Sequence, residues 1–349
     1  MKIAAVLFAV SAVTSAVAPN FISLVAARML GGFGVGAALI IAPMYIAEIS
    51  PPAMRGRMVS FNQLNIVVGI STAFFTNFLL LRLGESNAAW ADSLRLGDWS
   101  WRWMLGVEAL PAMLYFVALL AVPESPRWLL MNGREDDAKR VMARVTDEAQ
   151  AEADLEAVNA SLRAERETQR ASLRELFRPA MRRVLVIGVA VAILQQATGI
   201  NSVFFYAPTI FEQSGIGTDA AFMQAVLVGL VNLVFTVVAI LSIDRLGRRP
   251  LLGAGLAGIA ACMLVLAYGF ASEEIDPTLI LAGILGFVAS FAVSLGPVMW
   301  VLFSELFPNR VRGLAISLVG LINSAVSFSV QLVFPWELEN LGNSATFLI

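Results

Sequence analysis

The amino-acid sequence predicts an all-α polytopic membrane protein. Three features carry that reading: a composition too apolar for a water-soluble fold, a succession of apolar runs long enough to cross a bilayer, and a nine-residue motif that occurs twice. Of 349 residues, 58% are hydrophobic and 14% charged, where soluble domains carry about 25% charged residues. The mean hydropathy is +0.76. With 24 basic and 26 acidic residues the formal charge is -2, so no global positive field exists to hold nucleic acid. One cysteine, Cys262, and no histidine exclude disulfide frameworks, zinc clusters and His-based catalysis. No nucleophile, base and orienting group recur at catalytic spacing, so neither an enzyme nor a metal site is expected.

Nine apolar runs follow in order, at 1–18, 21–47, 57–81, 102–122, 183–211, 219–243, 250–271, 278–303 and 313–335. A helix of about 20 residues crosses a hydrocarbon core roughly 30 Å thick. The first run, MKIAAVLFAVSAVTSAVA, also has the basic start and the Ala16-x-Ala18 ending of a cleavable leader. Pro19 just beyond the cut and the spans that follow favour a retained helix. The second run carries Arg28 and then Gly31, Gly32, Gly34 and Gly36, small residues that let neighbouring helices approach closely.

Alternating the loops between the two sides places twenty of the 24 basic residues on one side, leaving Arg82, Arg95 and Arg102 on the other and Arg28 within a span. The positive-inside rule makes the rich side cytoplasmic. Between the fourth and fifth runs the composition turns charged, Ala-rich and helix-favouring, a cytoplasmic helical linker. The expected organisation is a partial transmembrane bundle at 1–122, the linker at 123–182 and a second partial bundle at 183–349.

The motif E-x-x-P-x-x-x-R-G begins at Glu48 and again at Glu305, an offset of 257 residues, each time at the cytoplasmic end of a run. Equal spacing in an equal setting argues for two homologous bundles, the parallel-repeat plan of many transporters. Used as a ruler, the repeat puts the first-half counterpart of Asp244-Arg-Leu-Gly247-Arg248-Arg249 before Met1 and that of Pro123-Glu124-Ser125 beyond Ile349. The expectation is a twelve-span plan with two spans missing in front and one behind.

DRLGRR, PESPRW, ILQQATGINSVFFYAP, GPVMWVLFSELFPNRVRG and PMYIAEISPPAMRG occur together in this chain. On these residues it resembles the sugar porters of the major facilitator superfamily, most nearly the bacterial proton-coupled pentose and hexose symporters, with the glucose facilitators more distant. The resemblance covers essentially the whole chain. It implies two six-helix bundles, with family helices 3 to 11 as the nine present here.

A neutral polyol needs both donors and acceptors without charge, which Asn and Gln amides supply. The runs contain Gln63, Gln195, Gln196, Asn201, Asn232 and Asn323, each costly if it faced lipid. Any one of them also suits a helix-to-helix contact worth about 0.6 kcal/mol. The resemblance implies sugar-binding amides at Gln63, Gln195, Gln196, Asn201 and Asn232 and an aromatic platform at Trp300. On an ideal helix Asn201 lies about 240° from Gln195, so convergence on one ligand requires a broken helix, and Gly199 supplies the permissive backbone. Phe205 stands where a tyrosine is usual, leaving Tyr206 as the hydroxyl, and Asn323 stands where the bacterial xylose symporters carry glutamine. Trp300 follows Gly296-Pro297, a helix-loosening pair; it reads as a gate or stacking surface, or as a packing aromatic.

Arg28 inside a span needs a partner or a water-filled cavity, or must snorkel to the outer interface. The resemblance implies that it pairs with a first-helix aspartate that takes the coupling proton, and that Glu108 joins the proton network. Glu48, Arg55, Glu124, Arg127, Asp244, Arg245, Arg248, Arg249, Glu305 and Arg312, with Gly247 at the turn, cluster where cytoplasmic span ends fall. Anchoring by positive charge explains the arginines but not the repeated acids, so a charge latch that closes the cytoplasmic side is expected. The resulting expectation is a monomeric, multi-pass inner-membrane transporter that moves a pentose or hexose by alternating access, with the proton gradient rather than a cofactor as energy source. An uncoupled facilitator, a non-transporting sugar sensor and an inactive fragment are the alternatives.

Overall fold

The computed structural model describes residues 1–50, 54–86, 89–144, 148–167, 173–272, 274–308 and 311–349; these are helical along every apolar run and contain no strand. Among the described residues eight segments are long and apolar enough to cross a membrane: Phe21–Ile49, Phe61–Gly84, Ser100–Ala121, Met181–Gln213, Thr218–Ile243, Arg248–Ala271, Pro277–Phe303 and Arg312–Asn340. The first run differs, since α1 (Lys2–Ala16) has 15 residues and is only about 22 Å long. Pro19 restricts the residue before it and cannot continue a helix, and Arg102 Nη1 donates to the terminal carbonyl of Ala16 at 2.8 Å.

Two compact units emerge, one of residues 1–65 and 79–170, the other of 66–78 and 171–349. In the first, α2 (Phe21–Ile49) opens on a capping box in which Asn20 Oδ1 accepts from Ser23 N at 2.9 Å. A Cβ at Gly31 would meet Ser11 Oγ at 2.5 Å, and one at Gly34 would meet the Phe8 ring at 3.0 Å, so α1 packs along these two positions. Gly32 and Gly36 have nothing within 4 Å of such a Cβ. The expectation of four close-approach glycines is corrected to two, because only positions three apart share that face.

α3 (Arg55–Gly84) passes from the first unit into the second and back, and α4 (Ala89–Ser93) follows it. The next span is interrupted, as α5 (Ser100–Gly106) and α6 (Ala109–Ala121) meet at Val107 and Glu108. Pro111 has no N–H for the Val107 carbonyl, which instead accepts from Leu110 N at 3.0 Å. In the linker, Ser125 Oγ caps α7 (Pro126–Met131) by accepting from Trp128 N at 3.1 Å. There Leu129 packs with Ala138, Val141 and Met142 of α8 (Glu135–Met142) and with Ala151 and Leu155 of α9 (Glu148–Glu167). The linker thus has an apolar cluster of its own. Arg134 Nε donates to Asp137 Oδ2 at 2.6 Å and Arg140 pairs with the same carboxylate; the Arg134 hydrogen bond, helped by both guanidinium charges, holds Asp137 below the usual carboxylate range.

In the second unit, α10 (Leu173–Leu176) leads into α11 (Pro179–Ala197), α12 (Ile200–Gln213), α13 (Thr218–Leu246) and α14 (Arg248–Ala271). They are followed by α15 (Pro277–Val293), α16 (Leu295–Leu306), α17 (Arg312–Asn340) and α18 (Gly342–Thr346). Ile210, Phe211, Leu266, Ile284 and Phe287 centre one core, and Met299, Phe303, Phe307 and Val319 centre another. Apolar side chains such as Leu230, Leu241, Leu264, Leu321, Phe328 and Leu332 point outward, the arrangement expected of helices solvated by lipid.

Candidate functional site: a ladder of buried amides and an ion pair within the spans

The span at Met181–Gln213 is broken between α11 and α12 by Gly199, whose φ of 73° and ψ of 13° lie in the left-handed region. This is the break that convergence of the amides demands. Thr198 Oγ1 donates to the freed carbonyl of Gln195 at 2.7 Å. Across the break Asn201 Nδ2 donates to Gln196 Oε1 at 2.9 Å, a contact that two residues five apart on a continuous helix, about 140° from each other, would not make. Gln196 Nε2 donates to Asn323 Oδ1 at 3.1 Å, and Asn323 Nδ2 donates to Gln195 Oε1 at 2.9 Å and to the Ala192 carbonyl at 3.0 Å. Gln195, Gln196 and Asn323 are 6%, 8% and 6% exposed, so each bond sits where an unmade one would cost most.

The ladder extends beyond the candidates read from sequence. Asn201 Nδ2 also donates to Ser327 Oγ at 2.9 Å, and Gln331 Nε2 donates to the same oxygen at 2.9 Å. Ser327 and Gln331 stand four and eight residues after Asn323, a stripe along α17 that i, i+4 spacing makes legible in the sequence. Asn232 is buried on α13 and its side chain makes no hydrogen bond among the described residues. Phe205 shares Asn201's helix face and is exposed, whereas Tyr206 packs its ring on Phe334 with centroids 5.4 Å apart. Trp300 is half-exposed and stands edge-on to buried Phe303 at 5.9 Å and 86°. The interruption before it falls at Ser294, φ -116° and ψ -90°. Gly296 and Pro297 therefore open α16 rather than loosen a continuous helix, in a first turn whose N–H groups have no intrahelical partner to lose.

In the first unit Arg28 Nη1 donates to Glu108 Oε2 at 2.7 Å, which supplies the partner a charge at this depth requires. Both side chains are about half exposed, 48% and 50%, and border a cavity of about 520 Å³ with Ser11, Gly32 and Tyr115. Gln63 lies half-buried on α3 in this unit. At the end of α2, Glu48 lines a second cavity of about 520 Å³ with Lys2, Tyr45, Glu124 and Arg127, and Tyr45 Oη donates to the Pro123 carbonyl at 2.8 Å. In the second unit Gly247, φ 81° and ψ 166°, turns the chain directly from α13 into α14, leaving Arg248 and Arg249 in the first turn. Arg312 Nε donates to the Phe307 carbonyl at 3.2 Å. The side chains of Arg55, Asp244 and Glu305 lie outside the described residues. Among the described residues no group of three His, Cys, Asp or Glu side chains is arranged to hold a metal ion.

The profile of the sugar (and other) transporter family matches residues 1–349, the whole chain. The chain belongs to that family. It is a multi-pass membrane transporter, and its family is not one of catalytic enzymes. Among its family relatives, the arabinose-proton symporter of Bacillus subtilis is 37% identical over 346 residues, covering 99% of this chain and 72% of the relative. The D-xylose-proton symporter of Escherichia coli is 38% identical over 359 residues, covering 97% and 70%. Among solved structures, the inward-open xylose transporter of Escherichia coli superposes with a TM-score of 0.82 at 33% identity, over 99% of this chain and 74% of that one. Its partially occluded inward-open form gives 0.81 at 34% identity, over 99% and 76%. These values place the fold of this transporter with the major facilitators that the sequence resembles.

Proposed function

We propose that this transporter carries a pentose or hexose across the cytoplasmic membrane together with a proton. The observation that carries the proposal is the buried amide ladder bridging the broken span at Gly199, in a chain whose similar relatives include symporters of arabinose and of D-xylose. Amides satisfy a sugar's hydroxyls as donors and acceptors without bringing charge into the membrane. In this reading Gln63, Gln195, Gln196, Asn201, Asn232 and Asn323 form the polar wall, Phe205 and Tyr206 shape it, and Trp300 offers an aromatic face to the ring. Arg28 and Glu108 serve coupling: a proton arriving on Glu108 cancels its charge and releases Arg28, an electrostatic change of the kind that biases a bistable element.

Two homologous bundles at 1–122 and 183–349, joined by the linker at 123–182 and holding nine spans, alternate access around the site as a monomer. The latch at the cytoplasmic ends comprises Glu48, Arg55, Glu124 and Arg127 from one half and Asp244, Arg245, Gly247, Arg248, Arg249, Glu305 and Arg312 from the other. The test is uptake of radiolabelled D-xylose and L-arabinose into proteoliposomes under an acid-outside pH gradient. Saturable uptake that a protonophore collapses is the expected result. Saturable uptake indifferent to the protonophore makes the protein a facilitator, and binding without uptake makes it a sensor.

A further inference from the structure

Counting donors and acceptors along the ladder separates the groups that remain for a ligand from those already spent. An amide has two N–H donors and one carbonyl. Asn323 gives both N–H groups away, to the Ala192 carbonyl and to Gln195 Oε1, and its own carbonyl accepts from Gln196. Asn201 likewise gives both N–H groups, to Gln196 Oε1 and Ser327 Oγ. What is left is the Nε2 group of Gln195, the second N–H of Gln196 Nε2 and the Oδ1 atom of Asn201, none of which makes a further hydrogen bond among the described residues.

The direction of this wiring has a single origin. A side-chain amide can turn end for end, but a peptide carbonyl cannot. Ala192 O offers only an acceptor, so Asn323 must face it with Nδ2. The same Nδ2 then requires the oxygen of Gln195, and Oδ1 of Asn323 requires the nitrogen of Gln196. Gln196 in turn presents its oxygen to Asn201, whose nitrogen is received at the far side by Ser327, itself held by Gln331.

We propose that Asn323 serves the polar wall as a positioning residue rather than by touching the sugar: anchored on the Ala192 carbonyl, it sets the amide polarity so that Gln195 presents donors and Asn201 presents an acceptor to the polyol. Ser327 and Gln331 hold the opposite end of the same relay. The proposal rests on the sugar-binding reading of these amides and deepens it into a specificity rule. A hydroxyl that meets Asn201 must act as a donor, and one that meets Gln195 as an acceptor.

The test is binding of a monosaccharide and its deoxy and fluorodeoxy series to the protein in lipid nanodiscs, read by intrinsic tryptophan fluorescence. Fluorine accepts weakly and cannot donate. In the wild type one ring position should tolerate fluorine no better than hydrogen, marking Asn201, and another should tolerate it better, marking Gln195. Asn323→Asp cannot donate to Gln195, which turns its nitrogen toward the carboxylate; the advantage of fluorine over hydrogen at the second position should vanish. Ser327→Ala, a second variant independent of folding at 323, should relax the discrimination at the first position, and Ser327→Thr should restore it. If one deoxy sugar binds wild type and Asn323→Ala equally while every sugar keeping that hydroxyl loses about tenfold, Asn323 touches that hydroxyl directly and the proposal is overturned. A fluorine pattern unmoved by Asn323→Asp and Ser327→Ala overturns the wiring alone, and absence of any monosaccharide binding to the wild type overturns the sugar-binding reading with it.

Discussion

Replacing Gly199 by alanine tests whether the broken span organises the site. A Cβ at position 199 meets nothing within 4 Å, so the substitution is opposed by backbone conformation alone. Holding a non-glycine residue at φ 73° costs about 1–2 kcal/mol. The alternative is for α11 and α12 to straighten, which carries Asn201 away from Gln196 and Ser327 and forfeits two hydrogen bonds of 2.9 Å, at about 0.6 kcal/mol each on average within membranes. Strain held at position 199 is common to free and sugar-bound protein and lowers stability by about 1–2 kcal/mol, whereas straightening, of nearly equal cost, leaves roughly a fifth to a half of the molecules site-competent and weakens affinity about 2- to 5-fold. Asparagine tolerates the left-handed region better than alanine, so Gly199→Asn should lose less than Gly199→Ala. Fluorescence titration of D-xylose and L-arabinose in nanodiscs measures both variants. Equal binding by wild type, alanine and asparagine variants would refute the reasoning, because straightening would then not reach the amides.

Glu108→Gln should abolish gradient-driven accumulation while sugar exchange continues, and should lower the yield of folded protein, since Arg28 without its partner costs about 2.5–3.5 kcal/mol on insertion scales; counterflow and accumulation assays separate the two effects. Glu305→Ala should leave sugar binding intact and reduce transport rate if it belongs to the cytoplasmic latch, as proteoliposome uptake would show. Gly31→Val should lower thermal stability in detergent by the equivalent of about 1–3 kcal/mol through collision with Ser11, whereas Gly36→Ala, in open space, should not. Because the folded-state pKa of Asp137 is depressed, its stabilising contribution is present above its ordinary pKa, about 3.9, and is lost as pH falls through that value and below. A fall in the protection factors of the α8 amides, with each rate referenced to the intrinsic rate at that pH, on acidification into that range is the expected signature, and high salt should diminish it at the outset.

That the chain is helical along its apolar runs was legible because hydropathy adds residue by residue along one helix, with no knowledge of neighbours. Even the break at Gly199 was legible, since Gln195 and Asn201 cannot share a face of a regular helix. Yet a local rule misjudged details that depend on what lies opposite. Gly31 and Gly34 meet α1 while Gly32 and Gly36 do not, and the chain turns at Ser294 rather than at the glycine-proline pair. The sequence by itself therefore determined a helical membrane transporter with side-chain amides as its leading uncharged recognition chemistry. Only the tertiary structure decided that the partner of Arg28 is Glu108, 80 residues away, and that Asn323 finds the Ala192 carbonyl, 131 residues away. Such pairings are set by how far each helix is rotated about its axis when it packs, and rotation is a property of the assembled bundle rather than of any one segment.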